Sequence, residues 1–585
     1  MPAYQLAQAI PQENREELLA QLEAELAECT EVQDTYRHKI RKFMEANEIW
    51  HISELDYPWR EAYEEYLAGE VSPVSWSGYL KAFDRVKQHS LRNQAGLKLR
   101  QKNRAYQYEN RALYLPYHPD QKLAERFDQA QKKKDLLWDF SRAAPETMKR
   151  QIFNVLHYLI KNEPDGKQLR RRMVALRKFY DFCIAESIRD IEQVGLEEIG
   201  KFRDTVSTDR AIERTVGIID YCRKAIFLEA DEIHWDADIW YMERFRFQPE
   251  RLDPSSPVQS LSFLEVTHEG NRKLLKKYLR YGLGITNLSL HFLQMEMLEI
   301  RKFLTGLGQV GAGDACQVTE QQFADYFNRL QEKPIKADTY NKQVMSILHF
   351  YSFLVARGYM EKVPFYPDYY LKKSMPQHHD RSVDEETVAE VFQNLYRFPE
   401  ELRLMFLHLW GVGLRISEVC TLKGDAYYIQ GRDAWIQVYQ IKMRTYKRIP
   451  IPAALYKLMQ VYMKRHGITA DAYVFQNSRG GAYRKATFRK HIIECCDKCS
   501  IQGGEYLFKA HDYRHTLATY FYNDGVSLQG VRDYLGHDYE EMTEQYIDYM
   551  PKKIEKANEE FFAQPGNSLA ACIRKEGWDA GQDLP

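Results

Sequence analysis

No apolar run in this chain approaches the ~20 residues that cross a bilayer, and the mean hydropathy is -0.57, so the sequence excludes a helical membrane protein. Met1 to Glu13 has no charged segment followed by an apolar one, the pattern of a secretory leader. The nine cysteines are scattered and odd in number, which argues against a secreted disulfide framework. A cytoplasmic protein is expected. Cys495, Cys496 and Cys499 lie close together, but no second Cys/His pair at zinc-ligand spacing accompanies them, so buried thiols on a helix are expected and no metal. A bias toward one sign of charge is also missing, since 82 basic and 83 acidic residues leave a net charge of -1.

Within these limits the composition is globular, with 44% hydrophobic and 13% aromatic residues, 40 of them tyrosine. A chain of 585 residues exceeds one ordinary core, and three or four domains are expected. Charge is unevenly placed. Val438 to Lys490 contains twelve Lys or Arg, among them Arg444, Lys447, Arg448, Arg484 and Lys485, against the single acid Asp471, a balance suited to a phosphate backbone. Lys81 to Arg104 holds eight cations against Asp84, readable as a solvated helix face or a nucleic-acid contact.

The first ~370 residues read as mostly helical, with apolar spacings of three and four. Thr339 to Tyr359 predicts an amphipathic helix ending at Gly358, with Phe350, Tyr351 and Phe353 in a core. A related cadence occurs at Lys167 to Ile184, where Phe179, Tyr180 and Phe182 follow Arg170, Arg171 and Arg172, and a fainter one surrounds Phe43. Repeated helical bundles are therefore expected, with Arg170, Arg171 and Arg172 as further candidates for contacting DNA. Gly306-Leu-Gly308-Gln-Val-Gly311 matches a dinucleotide-binding glycine pattern in letters only. It follows a helical stretch, so a loop is expected. From Ser382 the character changes: Val383 to His408 predicts helix, Trp435 to Gln440 and Arg448 to Ile451 predict short strands, and Lys442, Arg444 and Lys447 fall on a hairpin between them. The expected fold class is mainly α with a small antiparallel β-sheet. Expected boundaries give helical domains at 1–115, 116–255 and 256–370, a further domain at 380–565 and a tail at 566–585, with breaks at the Pro-, Ser- and Asp-rich stretches.

Four separated pieces carry chemistry. Gly411-Val-Gly-Leu-Arg415-Ile-Ser-Glu418 sets an arginine before a helix, with a carboxylate able to hold it. His511-Asp-Tyr-Arg514-His515 places two donors on one helix face. Leu535-Gly-His537 closes a helix with another donor, and Tyr546 follows in Thr543-Glu-Gln-Tyr546. In order and spacing these resemble the signature boxes of the tyrosine recombinase (phage integrase) family, over about Ser382 to Phe562, and Leu261 to Phe365 resembles that family's helical core-binding domain. Lys442 resembles the family's hairpin lysine, eight residues before Pro450, with Arg444, Lys447 and Arg448 as competitors.

The resemblance implies a recombinase that cleaves and rejoins DNA through a covalent 3′-phosphotyrosyl intermediate at Tyr546, leaving a 5′-hydroxyl, in the integration or excision of a mobile element. Arg415 and Arg514 would clamp the phosphate, with Glu418 in support, because guanidinium forks bind its oxygens bidentately. His537 would add a hydrogen bond. His511 is the candidate for accepting the tyrosine proton and Lys442 for protonating the leaving oxygen. No cofactor is expected. The partners implied are double-stranded DNA, further protomers up to a tetramer on paired sites, joined through a helix at Ile554 to Phe562, and accessory DNA-binding proteins. A type IB topoisomerase and a non-catalytic DNA clamp are the alternative readings. The N-terminal ~250 residues exceed the minimal family plan.

Overall fold

Residues 12–96, 111–118, 120–127, 136–374, 381–537, 543, 558–561 and 563 are described by the structure, a computed structural model. The chain divides into two units, Met1–Arg244 with Ser260–Glu265, and Phe245–Gln259 with Val266–Pro585.

In the first unit the helices Gln12–Glu28, Asp34–Ala46, Tyr57–Ala68 and Trp76–Gly96 close on Leu22, Ile40, Phe43, Tyr63 and Phe83. The three- and four-residue spacing of Ile40, Phe43 and Met44 gives the second helix one buried stripe. The described part of the basic run beginning at Lys81 is largely used internally. Lys87 is buried and donates to the Ser53 carbonyl (2.8 Å), while Arg85 and Arg92 bond the backbone and carboxylate of Glu31. Buried Arg60 is held through two nitrogens by Asp84 (2.7 and 3.1 Å), which also accepts from the Tyr117 hydroxyl (2.8 Å).

A second core gathers Trp138, Ile152, Leu156, Leu176, Phe179 and Phe202, from strand β2 (Leu137–Asp139) and the helices Glu146–Asn162, Gly166–Ala185 and Leu196–Thr205. β2 pairs antiparallel with β1 (Ala112–Tyr114). The Ile218–Glu229 helix leads to β3 (Ile239–Tyr241), paired with β4 (Ser260–Ser262) so that Trp240 faces Leu261. These two ribbons are not in the sequence reading. Each strand has three residues, too few for period-two alternation to register.

The second unit begins with the helices Glu269–Gly284, Leu290–Gly306, Glu320–Gln331 and Ala337–Ala356, whose Phe303, Phe323, Phe350 and Tyr351 are buried. The expected glycine loop follows the second of these, as a 3-10 turn Leu307–Val310 ending at Gly311 with φ 71°. From residue 381 the helical stretch predicted over Val383 to His408 is two helices, Glu385–Asn394 and Glu400–Val412, separated at Pro399. A three-stranded antiparallel sheet follows, β5 (Tyr427–Gln430), β6 (Asp433–Gln440) and β7 (Thr445–Ile451) in that order. β5 was not anticipated. The helices Ala453–His466, Lys485–Lys498, Ala510–Asn523 and Leu528–Leu535 complete the described residues up to 537. Cys496 is buried on the second of these, and among the described residues no group of three metal-ligand side chains converges. No described helix is long and apolar enough to cross a membrane.

The Arg60–Asp84 pair gives a direct test of the first bundle. Asp84→Ala strands a buried guanidinium, and the expected cost is about 3–5 kcal/mol, read as an earlier first transition in urea unfolding.

Candidate active site

The site starts from one buried carboxylate. Gly413 ends the Glu400–Val412 helix with φ 64°, where an added Cβ would lie 2.8 Å from Leu517. The turn lets the chain restart at once as the short helix Ile416–Cys420, with Arg415 at its N-cap. Glu418 reaches back, accepting from the Arg415 backbone N–H through Oε2 and from its guanidinium through Oε1, both at 2.9 Å. Glu418 is 1% exposed. Burial alone pushes its carboxyl up, but Lys447, Arg514 and Arg415 outweigh that and hold it below the usual carboxylate range.

Arg514 is fully buried on the Ala510–Asn523 helix. It donates to the carbonyls of Gly413 and Leu535, each at 2.7 Å, and to His537 Nε2 at 2.9 Å. Because Arg514 can only donate, Nε2 accepts. The hydrogen-bond network thereby assigns the His537 proton to Nδ1, which donates to Thr543 Oγ1 (3.0 Å). Burial and the neighbouring cations, Arg514 foremost, push the His537 pKa down to about 3. His511 opens the same helix as Arg514, with its ring 5.2 Å from that of His515. Its pKa is also lowered to about 3, by burial, by His515 and by the arginines. Both rings are neutral at ordinary pH.

The hairpin contributes a buried lysine, Lys447, which the sequence offered as a competitor of Lys442. Along β7, buried positions alternate with exposed ones, and Lys447 shares the inward face with Ile449 and Ile451. Its ammonium lies 3.6 Å from Glu418 Oε2 and 3.3 Å from the Leu535 carbonyl. Burial is the main cause that pushes its pKa down to about 8, against the pull of Glu418. Lys442 is exposed on the turn between β6 and β7. It stands two residues beyond Gln440, whose side-chain amide donates to the Gly536 carbonyl (3.2 Å).

The structure therefore brings Arg415, Glu418, Arg514 and His537 together, places His511 at the head of the Arg514 helix, adds Lys447, Gln440 and Thr543, and leaves Lys442 at the rim. Tyr546 lies outside the described residues, as does most of the Ile554 to Phe562 segment. Lys447 was already a competitor of Lys442 in the sequence, and period two places it on the face of Ile449 and Ile451. Gln440 and Thr543 were missed and have no local signal, because only the approach of Gly536 and His537 gives them partners.

The outer cations are more dispersed. Arg444, at φ 56°, donates to the Asn287 carbonyl (2.9 Å). Arg448 faces outward and bonds Gln437 (2.8 Å), and Arg484 caps the Lys485–Lys498 helix. Lys485 is tied down by Asp253 (3.2 Å) and, through its backbone, by Ser255 (3.1 Å). In the first unit Arg172 pairs with Glu163 (2.8 Å) and covers the Tyr221 ring, while Arg170 and Arg171 are exposed.

Chemically, this arrangement can hold an anion. Three cations (Arg415, Lys447, Arg514) surround one carboxylate, leaving positive charge in excess where water is scarce. Such charge is worth most to an anion whose charge grows in a transition state.

Residues 381–553 match the phage integrase family. Transposase B from transposon Tn554 of Staphylococcus aureus is 24% identical over 337 residues, covering 54% of this chain and 51% of that protein. Tyrosine recombinase XerC of Bacillus pumilus is 25% identical over 272 residues, 44% of this chain and 85% of that protein. The solved XerH site-specific recombinase bound to palindromic difH substrate aligns over 51% of this chain and 90% of that one, at 17% identity and a TM-score of 0.40. The chain spans about half the length of the Tn554 relatives it matches.

Two measurements test this geometry. Gly536 sits at φ 71°, and an added Cβ would fall 2.5 Å from Gln440 Nε2. Gly536→Ala is therefore expected to cost about 2 kcal/mol, read in urea melts, and to displace His537. His537 and His511 are neutral in the fold but protonate near 6.5 when unfolded. Their stabilisation is complete above about pH 6.5 and is lost as pH falls toward 3. The melting temperature should drop over that window, and less steeply in His537→Gln.

Proposed function

We propose that this chain, whose residues 381–553 match the phage integrase family, is a site-specific DNA recombinase of the tyrosine type that acts in the integration or excision of a mobile element. The observation that carries the reading is the buried cluster of Arg415, Lys447 and Arg514 around Glu418, which suits a scissile phosphodiester. The resemblance to a transposon's transposase supports the mobile-element setting.

In this mechanism the Tyr546 phenolate oxygen attacks phosphorus, and the P–O bond to the 5′ oxygen breaks, leaving a 3′-phosphotyrosyl enzyme. A phenol titrates near 10, so its proton must leave during attack. His511, held neutral, is the acceptor. Arg415 and Arg514 take the non-bridging oxygens as charge spreads over them. His537 gives up its Arg514 bond and its proton moves from Nδ1 to Nε2, which then donates to the phosphate while the Thr543 hydroxyl donates to Nδ1. The leaving 5′ oxygen takes its proton from Lys442, delivered from the hairpin turn, while Lys447 holds Glu418 and keeps Arg415 aimed. Attack by a 5′-hydroxyl from a second duplex reverses the chemistry and exchanges strands. The bond energy stays in the phosphotyrosyl link, so no nucleotide is consumed. Two duplexes present four strands, which calls for four protomers on paired sites.

Nicked suicide duplexes drawn from the DNA flanking the gene test the reading. A protein–DNA adduct on a denaturing gel is expected, absent in Tyr546→Phe and reduced at least a hundredfold in Arg415→Ala or Arg514→Ala. Tight binding without any adduct would refute it. A 5′-bridging phosphorothiolate needs no proton on its leaving group, so it should rescue Lys442→Ala and not Lys447→Ala. The reverse pattern would assign the proton to Lys447.

A further inference from the structure

The helical bundle that precedes the site in the second unit occurs twice in this chain. In both copies two long helices are followed by a 3-10 turn and two further helical segments, and the second copy carries an additional 3-10 turn, Leu307–Val310, directly after its second helix. The first copy runs Glu146–Asn162, Gly166–Ala185, Ile191–Gln193, Leu196–Thr205 and Ile218–Glu229, the last two linked by a short Ile212–Val216 turn of helix. The second runs Glu269–Gly284, Leu290–Gly306, Ala315–Gln317, Glu320–Gln331 and Ala337–Ala356.

The correspondence extends to side chains. Asp190-Ile-Glu-Gln193-Val194 matches Asp314-Ala-Cys-Gln317-Val318. Asp190 accepts from the Glu192 N–H and Asp314 from the Cys316 N–H, both at 2.9 Å. The next helix then opens with Gly195 N–H bonded to Glu198 (2.8 Å), as Thr319 N–H is to Gln322 (3.0 Å). At the same separation in sequence, Leu169, Met173, Leu176 and Phe179 fall on Leu293, Met297, Ile300 and Phe303, all buried. The sequence cadence had paired Phe179 with Phe350. The structure pairs it with Phe303, because equivalent helices are the second of each bundle.

Equivalent positions outside the core have diverged. Lys167, Arg170 and Arg171 stand where the second copy has His291, Gln294 and Met295. Packing does not demand these cations, since all three are exposed. From Gly166 to Lys178 there are six cations and no acid. Arg172 is paired with Glu163, Arg177 covers the Trp138 ring and Lys178 is paired with Asp209. Among the described residues no ion pair holds Lys167, Arg170 or Arg171. Their spacing of three and four makes them repel one another, and Lys167 also lies in the first helical turn, where the helix dipole disfavours a cation. The helix would be more stable without them, and a polyanion along this face removes the penalty.

We infer that the 146–229 bundle is a second DNA-binding module, duplicated from the bundle before the site, that grips a duplex backbone through Lys167, Arg170 and Arg171. The identity of the polyanion rests on the proposed recombinase reading. It predicts a contact beyond the cleavage site, and gives the N-terminal unit a share in the affinity.

The test uses the full chain. Anisotropy on a labelled mixed-sequence duplex of about 60 bp, titrated across KCl, is compared with Lys167→Gln/Arg170→Gln/Arg171→Gln. Three lost phosphate contacts should flatten the log–log salt slope by about 2.7, while adduct formation on a short nicked duplex is kept. The charge-preserving Lys167→Arg/Arg170→Lys/Arg171→Lys protein should return the parent slope. A parent slope in the glutamine protein overturns the inference, whether or not adducts form. A flattened slope in a chain that never forms an adduct would keep the DNA module and defeat the catalytic reading instead.

Discussion

A single buried carboxylate organises the second unit's chemistry. Glu418 is removed from water, and its burial is tolerable only because Arg415, Lys447 and Arg514 approach it from an N-cap, a strand and a distant helix. Three cations would not remain close without it, and it would not remain ionised without them. The surplus of positive charge that results is a structural cost, because little water reaches it.

The second organising feature is a carbonyl. Leu535 ends its helix at a left-handed glycine, and its C=O accepts from Arg514 and Lys447. A helix normally leaves its last carbonyls short of donors. Here that deficit is met by the site's own cations, so helix termination and guanidinium orientation are one event. Gln440 occupies the space beside Gly536 that any Cβ would need, and the hairpin is thereby fixed to the residue preceding His537. The Leu-Gly-His run is thus a joint between elements as well as a donor.

The two related bundles illustrate how a duplicated scaffold separates its core from its surface. Buried apolar positions and both capping arrangements persist between the copies, because each is needed for the bundle to close. The exposed face of the second helix has no such obligation, and its chemistry differs completely between them. The first unit's other charges show the contrasting case, in which basic residues such as Lys87 and Arg60 are consumed by internal partners.

Helices, the order of the chemical boxes and the pairing of Arg415 with Glu418 were legible in the sequence, because each depends on residues within a few positions of one another: helical periodicity, a cap and an i, i+3 carboxylate. The short ribbons were not, since three-residue strands carry no periodic signal and exist only through their partners. Lys442 stood out by its distance from Pro450, yet the inward face of β7 belongs to Lys447, and a hairpin's outward or inward sense is set by register against β6. The register of the repeat was likewise misread from aromatic clusters alone, because every amphipathic helix ends in similar letters and only the order of packed helices tells them apart. The sequence by itself determined which residues are candidates for the chemistry. Only the tertiary structure decided which of them share a low-dielectric space, because burial and charge compensation arise between segments far apart in the chain, and local pattern holds no record of that distance.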